Sequence, residues 1–285
     1  MSDWLGQNKV KAAFYSLIIT NILVWGFYFS QPDGDLHLKI YDVGQGDSIF
    51  IRTSGGYKIL IDGGPDGRVI DYLGKDLPFY SKKIDLVVLT HPQADHLTGL
   101  IQVVKRYQVE NLWVSQVTNT TRGYEAWQQA IKQGKLKVTT VHQGKKLQLA
   151  DGTKIAVLWP TSSVNSRDLN AHSVVLLISY GSFDALLTGD ADKKAQPYTS
   201  SSSHVEVFKV PHHGSKTALN EYFVKSISPE ASVISVGKKN NYGHPNENVI
   251  NFLENIGSKV YRTDKNGTVE IVSDGKSWYT RTSFK

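Results

Sequence analysis

The stretch IDLVVLTHPQADHLTGL, residues 84–100, decides how the rest of the chain is read. Its opening residues are apolar and rich in Val and Leu, the composition of a strand buried on both faces. The apolar run stops at Thr90, and His91, Asp95 and His96 then fall on one turn before an amphipathic pattern that predicts a helix over 97–107. Loops at strand ends, held by a rigid scaffold, are where chemistry concentrates. Imidazoles and carboxylates so close together can converge on one divalent cation. Helix capping explains part of the pattern, with Asp95 placed as the N-cap before Leu97, but capping does not require two histidines.

Outward from this stretch, strands are predicted over 36–43, 48–53, 57–62, 111–115, 205–211 and 231–237. Hairpins are predicted over 146–160, 173–190 and 268–282, the first two turning at Asp151-Gly152 and at Gly181-Ser182. Helices are predicted over 68–73, 124–133 and 249–256, and residues 200–203 read as a polar surface loop. So many hairpins imply mixed sheets. Two halves of strands and helices packed face to face give an α+β protein, a four-layer αββα sandwich. Polar residues again mark the strand ends: Asp62 closes YKILID, Asp190 closes ALLTGD, His212 and His213 close VEVFKVP, and His244 follows ASVISVG. If those strands are neighbours, the groups meet at one edge.

Composition narrows the chemistry. The chain of 285 residues contains no cysteine, which excludes disulfide staples, Cys-zinc knuckles, iron–sulfur clusters and thiol nucleophiles. A metal site must therefore use His, Asp, Glu or amide ligands. A hydrophobic content of 40% excludes disorder as the main state. The net charge of +6 is a mild hint of a polyanionic partner.

The N-terminal stretch is different in kind. Residues 12–29, AAFYSLIITNILVWGFYF, carry no charge, which is the short end of a membrane span. Lys9 and Lys11 precede it and Asp33 and Asp35 follow, so the positive-inside rule puts the N-terminus in the cytoplasm and the remainder outside. Trp25, Phe27, Tyr28 and Phe29 suit an interfacial belt, and the run ends without a small-x-small cleavage site. The expectation is a stub, uncleaved anchor and linker over 1–35, then one domain over 36–285, in a single-pass protein of the cell membrane with its catalytic domain extracellular.

From about Leu36 onward the chain resembles the metallo-β-lactamase fold, and in detail the C-terminal extracellular hydrolase domain of ComEC-like competence DNA-uptake proteins. The strings that carry the resemblance are YDVGQGDS (41–48), IDGGP (61–65), LTHPQADHLTGL (89–100), NAHSVVLL (170–177), LLTGD (186–190), VPHHGS (210–215), YGHP (242–245) and RTDKNGTV (262–269). The resemblance implies His91 as a ligand of a first metal, Asp95 and His96 as ligands of a second, and Asp190 as the carboxylate between them. It implies His213, or its neighbour His212, as the last ligand. Asp62 would brace the metal loop through hydrogen bonds, with Asp47 near the same edge in a bracing or metal role. His244 would face the substrate and serve the leaving group or a phosphate, so that Asp95, His213 and His244 carry the catalysis. Asn170, Ser215 and Lys216 would contact substrate.

The chain departs from the superfamily's His-x-His-x-Asp-His string at Gln93, a neutral and weaker ligand left beside the metal loop. The superfamily's middle metal-ligand histidine is not evident either, and neither His172 nor Asn170 is taken as its replacement. One or two divalent ions are expected. Two carboxylates and few imidazoles shift the preference toward Mn²⁺, with Zn²⁺ the alternative.

The implied activity is metal-dependent hydrolysis, as a phosphodiesterase or nuclease acting on DNA outside the membrane during uptake. Lys209, Lys216, Lys238 and Lys239 are expected to meet DNA without reading its sequence. Two alternatives stand beside it: hydrolysis of a small phosphodiester, lactone or other ester, and a catalytically decayed DNA-binding or surface module. ComEC-type proteins carry many membrane helices forming a channel, whereas this chain has one candidate helix, which leaves room for a separate channel protein as partner.

Overall fold

A computed structural model describes residues 2–29, 31–78, 80–191, 193, 195 and 204–284. Its compact units divide between Asp33 and Gly34. The first unit contains helix α1, Ser2–Phe29, longer than the sequence predicts. Within it Asn8–Tyr28 has a mean hydropathy of 1.5 and no buried residue. At 1.5 Å of rise per residue, 21 residues reach about 30 Å, the thickness of a bilayer's hydrocarbon core.

The second unit begins with strands β1 (Leu36–Ile40), β2 (Ile49–Arg52) and β3 (Lys58–Ile61). Helix α2 (Arg68–Asp76), β4 (Lys83–Leu89), α3 (Ala94–Arg106), β5 (Gln108–Val114), α4 (Arg122–Gly134) and β6 (Val138–Thr140) follow. The chain continues through β7 (Lys146–Gln148), β8 (Lys154–Trp159), β9 (Val175–Tyr180), β10 (Phe183–Leu187) and β11 (Val207–Lys209). Then come α5 (Glu221–Ile227), β12 (Ala231–Ile234), α6 (Glu247–Asn255), β13 (Lys259–Arg262), α7 (Thr263–Asn266), β14 (Val269–Ser273) and β15 (Trp278–Thr282).

The strands form two sheets, ordered β15-β14-β1-β2-β3-β4-β5-β6 and β13-β12-β11-β10-β9-β8-β7. Both are mixed: β3 to β6 pair in parallel, as do β10 to β13, while the hairpins pair antiparallel. Leu38, Ile51, Ile59 and Val88 of the first sheet pack with Ile155, Leu176, Ala185 and Val207 of the second in one inner cluster. On the outer side of the first sheet, Phe50, Leu60 and Val87 pack with Leu73, Leu97, Leu100, Val103 and Trp127 from α2, α3 and α4. On the outer side of the second, Leu186, Phe208 and Ile234 pack with Phe223, Val224, Val249 and Leu253 from α5 and α6. These clusters define the αββα sandwich. Strand β4 shows why its sequence is continuously apolar: Leu86 and Val88 face the inner cluster, and Val87 and Leu89 face the helices.

Helix α3 begins at Ala94, three residues earlier than the sequence predicts, and Gln93 rather than Asp95 holds the cap position. Asp95 lies in the first turn instead. Two glycine-rich turns press against this helix start. A Cβ at Gly46 would lie 2.2 Å from the Asp95 carbonyl oxygen, and one at Gly99 would lie 1.9 Å from that of Gly63. The amides of Asp47 and Gly63 donate to the carbonyls of Asp95 and His96. The GQGD and DGGP motifs therefore clamp the loop that carries the polar cluster. The loop predicted over 200–203 lies outside the described residues.

Candidate metal centre

Asp62 follows β3 with a left-handed backbone, φ 57°. Its Oδ1 accepts from the Thr90 amide at 2.8 Å and its Oδ2 from the Thr90 hydroxyl at 2.7 Å. The same Oδ2 lies 2.7 Å from His96 Nδ1, which donates to it. His91 Nδ1 lies 3.1 Å from the Thr90 hydroxyl and donates to it in turn. One buried carboxylate thus fixes both rings, directly or through Thr90, and leaves both Nε2 atoms without a hydrogen-bond partner.

Asp95, His96, Asp190 and His213 offer ligand atoms that all lie within 4.8 Å of one another. His96 Nε2 is 3.4 Å from Asp190 Oδ2 and 3.9 Å from Asp95 Oδ2. His213 Nε2 is 3.3 Å from Asp95 Oδ2 and 3.6 Å from Asp190 Oδ2. His213 Nδ1 donates to the Ser235 carbonyl at 2.9 Å, which turns Nε2 inward. His96 Nε2 and both Asp190 carboxylate oxygens are buried without a hydrogen-bond partner. Orphaned polar atoms in such a place mark a site that expects a cation.

The electrostatics agree. Burial alone would lower the pKa of His96, but the carboxylates of Asp190, Asp62 and Asp95 outweigh it and hold it well above the usual value. His213 is raised in the same way, mainly by Asp190. Asp190 is buried, which raises its pKa, yet His213, His96 and Lys209 bring it well below the carboxylate range. The cluster favours positive charge, and a divalent ion fits its donor set.

His91 is fully buried and its ring centroid lies 4.2 Å from that of His96, but it is not one of the four converging residues. Burial, then the neighbouring His96, lowers its pKa to about 3 and keeps it neutral. The Gln93 side chain faces it. His212 and His213 both adopt positive φ in a tight turn, and only His213 joins the four. His212 Nε2 lies 3.5 Å from Asn170 Nδ2, and its ring is 5.8 Å from that of His244. His244 is 6.5 Å from His213, and its pKa is lowered by burial and then by His213 and His212. Asn170 Oδ1 and Ser215 Oγ are buried without partners, whereas Lys216 is exposed. His172 is turned away, donating from Nε2 to the Ser166 carbonyl at 3.0 Å.

Two residues escape the sequence reading. Thr90 links Asp62 to His91. Lys209, expected at a DNA-facing surface, is instead fully buried and paired with the Asp47 carboxylate. Its one sequence signal is a charge set inside the apolar string Val-Phe-Lys-Val.

A two-sheet sandwich with an Asp/His cluster at the strand ends defines a metallo-hydrolase. Residues 41–238 match the metallo-beta-lactamase superfamily, and the chain belongs to it. The chain is 30% identical over 289 residues to ComE operon protein 3 of Bacillus subtilis, covering 93% of this chain and 36% of that protein. It is 29% identical to the competence protein ComA of Neisseria gonorrhoeae, covering 84% of this chain and 33% of that protein. The chain therefore spans about a third of the length of these relatives. Among solved structures, the metallo-beta-lactamase fold protein YhfI of Bacillus subtilis superposes with a TM-score of 0.57 at 14% identity, covering 82% of this chain and 99% of that one. The chain is thus a metallo-hydrolase of this superfamily related to competence proteins.

Proposed function

We propose that the chain is a metal-dependent phosphodiesterase that cuts DNA on the outer side of a membrane, in the manner of a ComEC-like hydrolase domain. The observation that carries this reading is the convergence of Asp95, His96, Asp190 and His213 on one point beside the His212–His244 pair. Those four residues would hold one divalent ion, Mn²⁺ or Zn²⁺, which supplies Lewis acidity and lowers the pKa of water. The protein's own groups do the rest. Asp62 keeps His96 in the tautomer that ligates. Ser215, Asn170 and Lys216 supply donors to a phosphoryl oxygen, and His244, kept neutral by its surroundings, offers a further polar contact on the substrate side. Lys238 and Lys239 are exposed on the loop that leads to His244, as sequence-independent backbone binding requires. Tyr242 is 72% exposed and its ring stacks on His244 at 5.7 Å, a surface for a splayed base.

In this reading residues 1–35 form a stub, anchor and linker and residues 36–285 the hydrolase domain, with Lys9 and Lys11 on the cytoplasmic side. DNA and the membrane are its partners, together with a separate channel protein. The full chain, purified in detergent and supplied with Mn²⁺ or Zn²⁺, is expected to cleave labelled single- or double-stranded DNA, and Asp95→Ala to abolish cleavage. Turnover of a small ester or lactone without DNA cleavage would replace this reading with the small-substrate alternative. Absence of bound metal would point to the decayed module that Gln93 favours.

A further inference from the structure

Lys209 is fully buried, and its Nζ donates to the Gly189 carbonyl at 3.0 Å while pairing closely with Asp47 Oδ2. Burying an ion pair is costly, and an apolar pair of similar volume is often as stable or more so. The location gives the pair a purpose. Asp47 belongs to the turn after β1 in the first sheet, and Lys209 ends β11 in the second. Alternation along β11 puts Lys209 on the same inner face as Val207, with Phe208 on the outer. The pair therefore crosses from one sheet to the other beneath the polar cluster.

It also touches three of the four converging residues. Asp47 Oδ1 lies 3.5 Å from His213 Nδ1, and Asp47 Oδ2 lies 4.0 Å from His96 Nδ1. Lys209 Nζ lies 3.9 Å from Asp190 Oδ1. The pair stands behind both imidazoles, on the edges opposite their Nε2 atoms, and beside the Asp190 oxygen turned away from those atoms.

We infer that the Asp47–Lys209 pair is a positioning element of the metal centre: Lys209 draws Asp190 Oδ1 so that Oδ2 faces the ion, and the Asp47 charge stands behind the His96 and His213 rings, whose Nδ1–H groups are held by Asp62 and the Ser235 carbonyl. This rests on the metal assignment above. Groups that orient metal ligands from behind set affinity by about 10–100-fold.

The test is Mn²⁺ and Zn²⁺ titration of the full chain in detergent by calorimetry, with thermal unfolding recorded in parallel. Lys209→Met leaves Asp47 buried and unpaired and is expected to unfold at lower temperature. The double variant Asp47→Asn, Lys209→Met removes both charges and is expected to regain most of that stability. If the pair positions the ligands, the folded double variant still binds metal about 10–100-fold more weakly than wild type. If the pair serves only the fold, the double variant binds as tightly as wild type, and the inference is overturned while the metal assignment stands. No metal binding by the wild-type chain overturns both.

Discussion

Asp62 and His96 meet at 2.7 Å, and that contact decides which nitrogen of His96 can reach a metal. With Nδ1–H committed to Asp62, Nε2 faces Asp190 at 3.4 Å. Replacing Asp62 with Asn keeps the size but removes the charge that orders Thr90, His96 and, through Thr90, His91. Metal affinity, measured by competition with a chromogenic chelator, is expected to fall about 10–100-fold.

Gln93 lies against the His91 ring, whose Nε2 is buried. An imidazole at 93 would place a second nitrogen ligand beside His91 Nε2. Wild type is expected to hold one tightly bound divalent ion per chain, and Gln93→His to hold a further one. Elemental analysis of the dialysed proteins reads both numbers, and an unchanged ratio would count against a weakened first site at His91.

Two helical glycines make opposite predictions. Gly74, on α2, is exposed, and a Cβ there would meet nothing within 4 Å, so Gly74→Ala is expected to gain about 1 kcal/mol and raise Tm by about 2–4 °C. Gly99, on α3, would thrust its Cβ into the Gly63 carbonyl at 1.9 Å. The same substitution there is expected to cost about 3 kcal/mol, because the backbone of the turn after β3 must move. Calorimetric unfolding of both variants checks the sign of each.

Glu270 lies on β14 beside His37 and Lys39 of β1, at 2.9 and 3.5 Å. Burial raises its pKa, but the hydrogen bond from His37 and the charge of Lys39 lower it below the ordinary value of 4.5. A carboxylate with a depressed folded pKa stabilises the fold above the unfolded value, and that contribution is lost as pH falls through the folded one. Glu270→Gln is therefore expected to cost about 1 kcal/mol at pH 7 and progressively less in acid. Denaturant titrations of both proteins across pH 3–7 measure the difference. Parallel curves at all pH values would contradict it.

What the sequence disclosed follows from where structural information resides. The strands and helices around 84–100 were legible because their apolar spacing is local. Helix α5 and strand β13 were not: EYFVKSI is a short run, and KVYR is partly exposed and takes its strand geometry from pairing with β12. Asp62, Asp190 and His213 stand out in the sequence as polar residues where apolar runs stop, and Asp95 and His96 as polar residues in the turn after 84–90, which the structure places in the first turn of α3. Lys209 reads in sequence as a surface lysine at a strand end, because its burial depends on Asp47, from the opposite sheet. The choice between His212 and His213 depended on the positive-φ turn that aims them apart, which adjacent positions in sequence do not reveal.

Asp95, His96, Asp190 and His213 are expected to hold one divalent ion, which anomalous diffraction from crystals grown with Mn²⁺ or Zn²⁺ would locate. The expected result is a peak bounded by those four side chains, with the His96 and His213 Nε2 atoms at about 2.0–2.3 Å. A dominant peak elsewhere in the molecule, or none in crystals of metal-saturated protein, would contradict it.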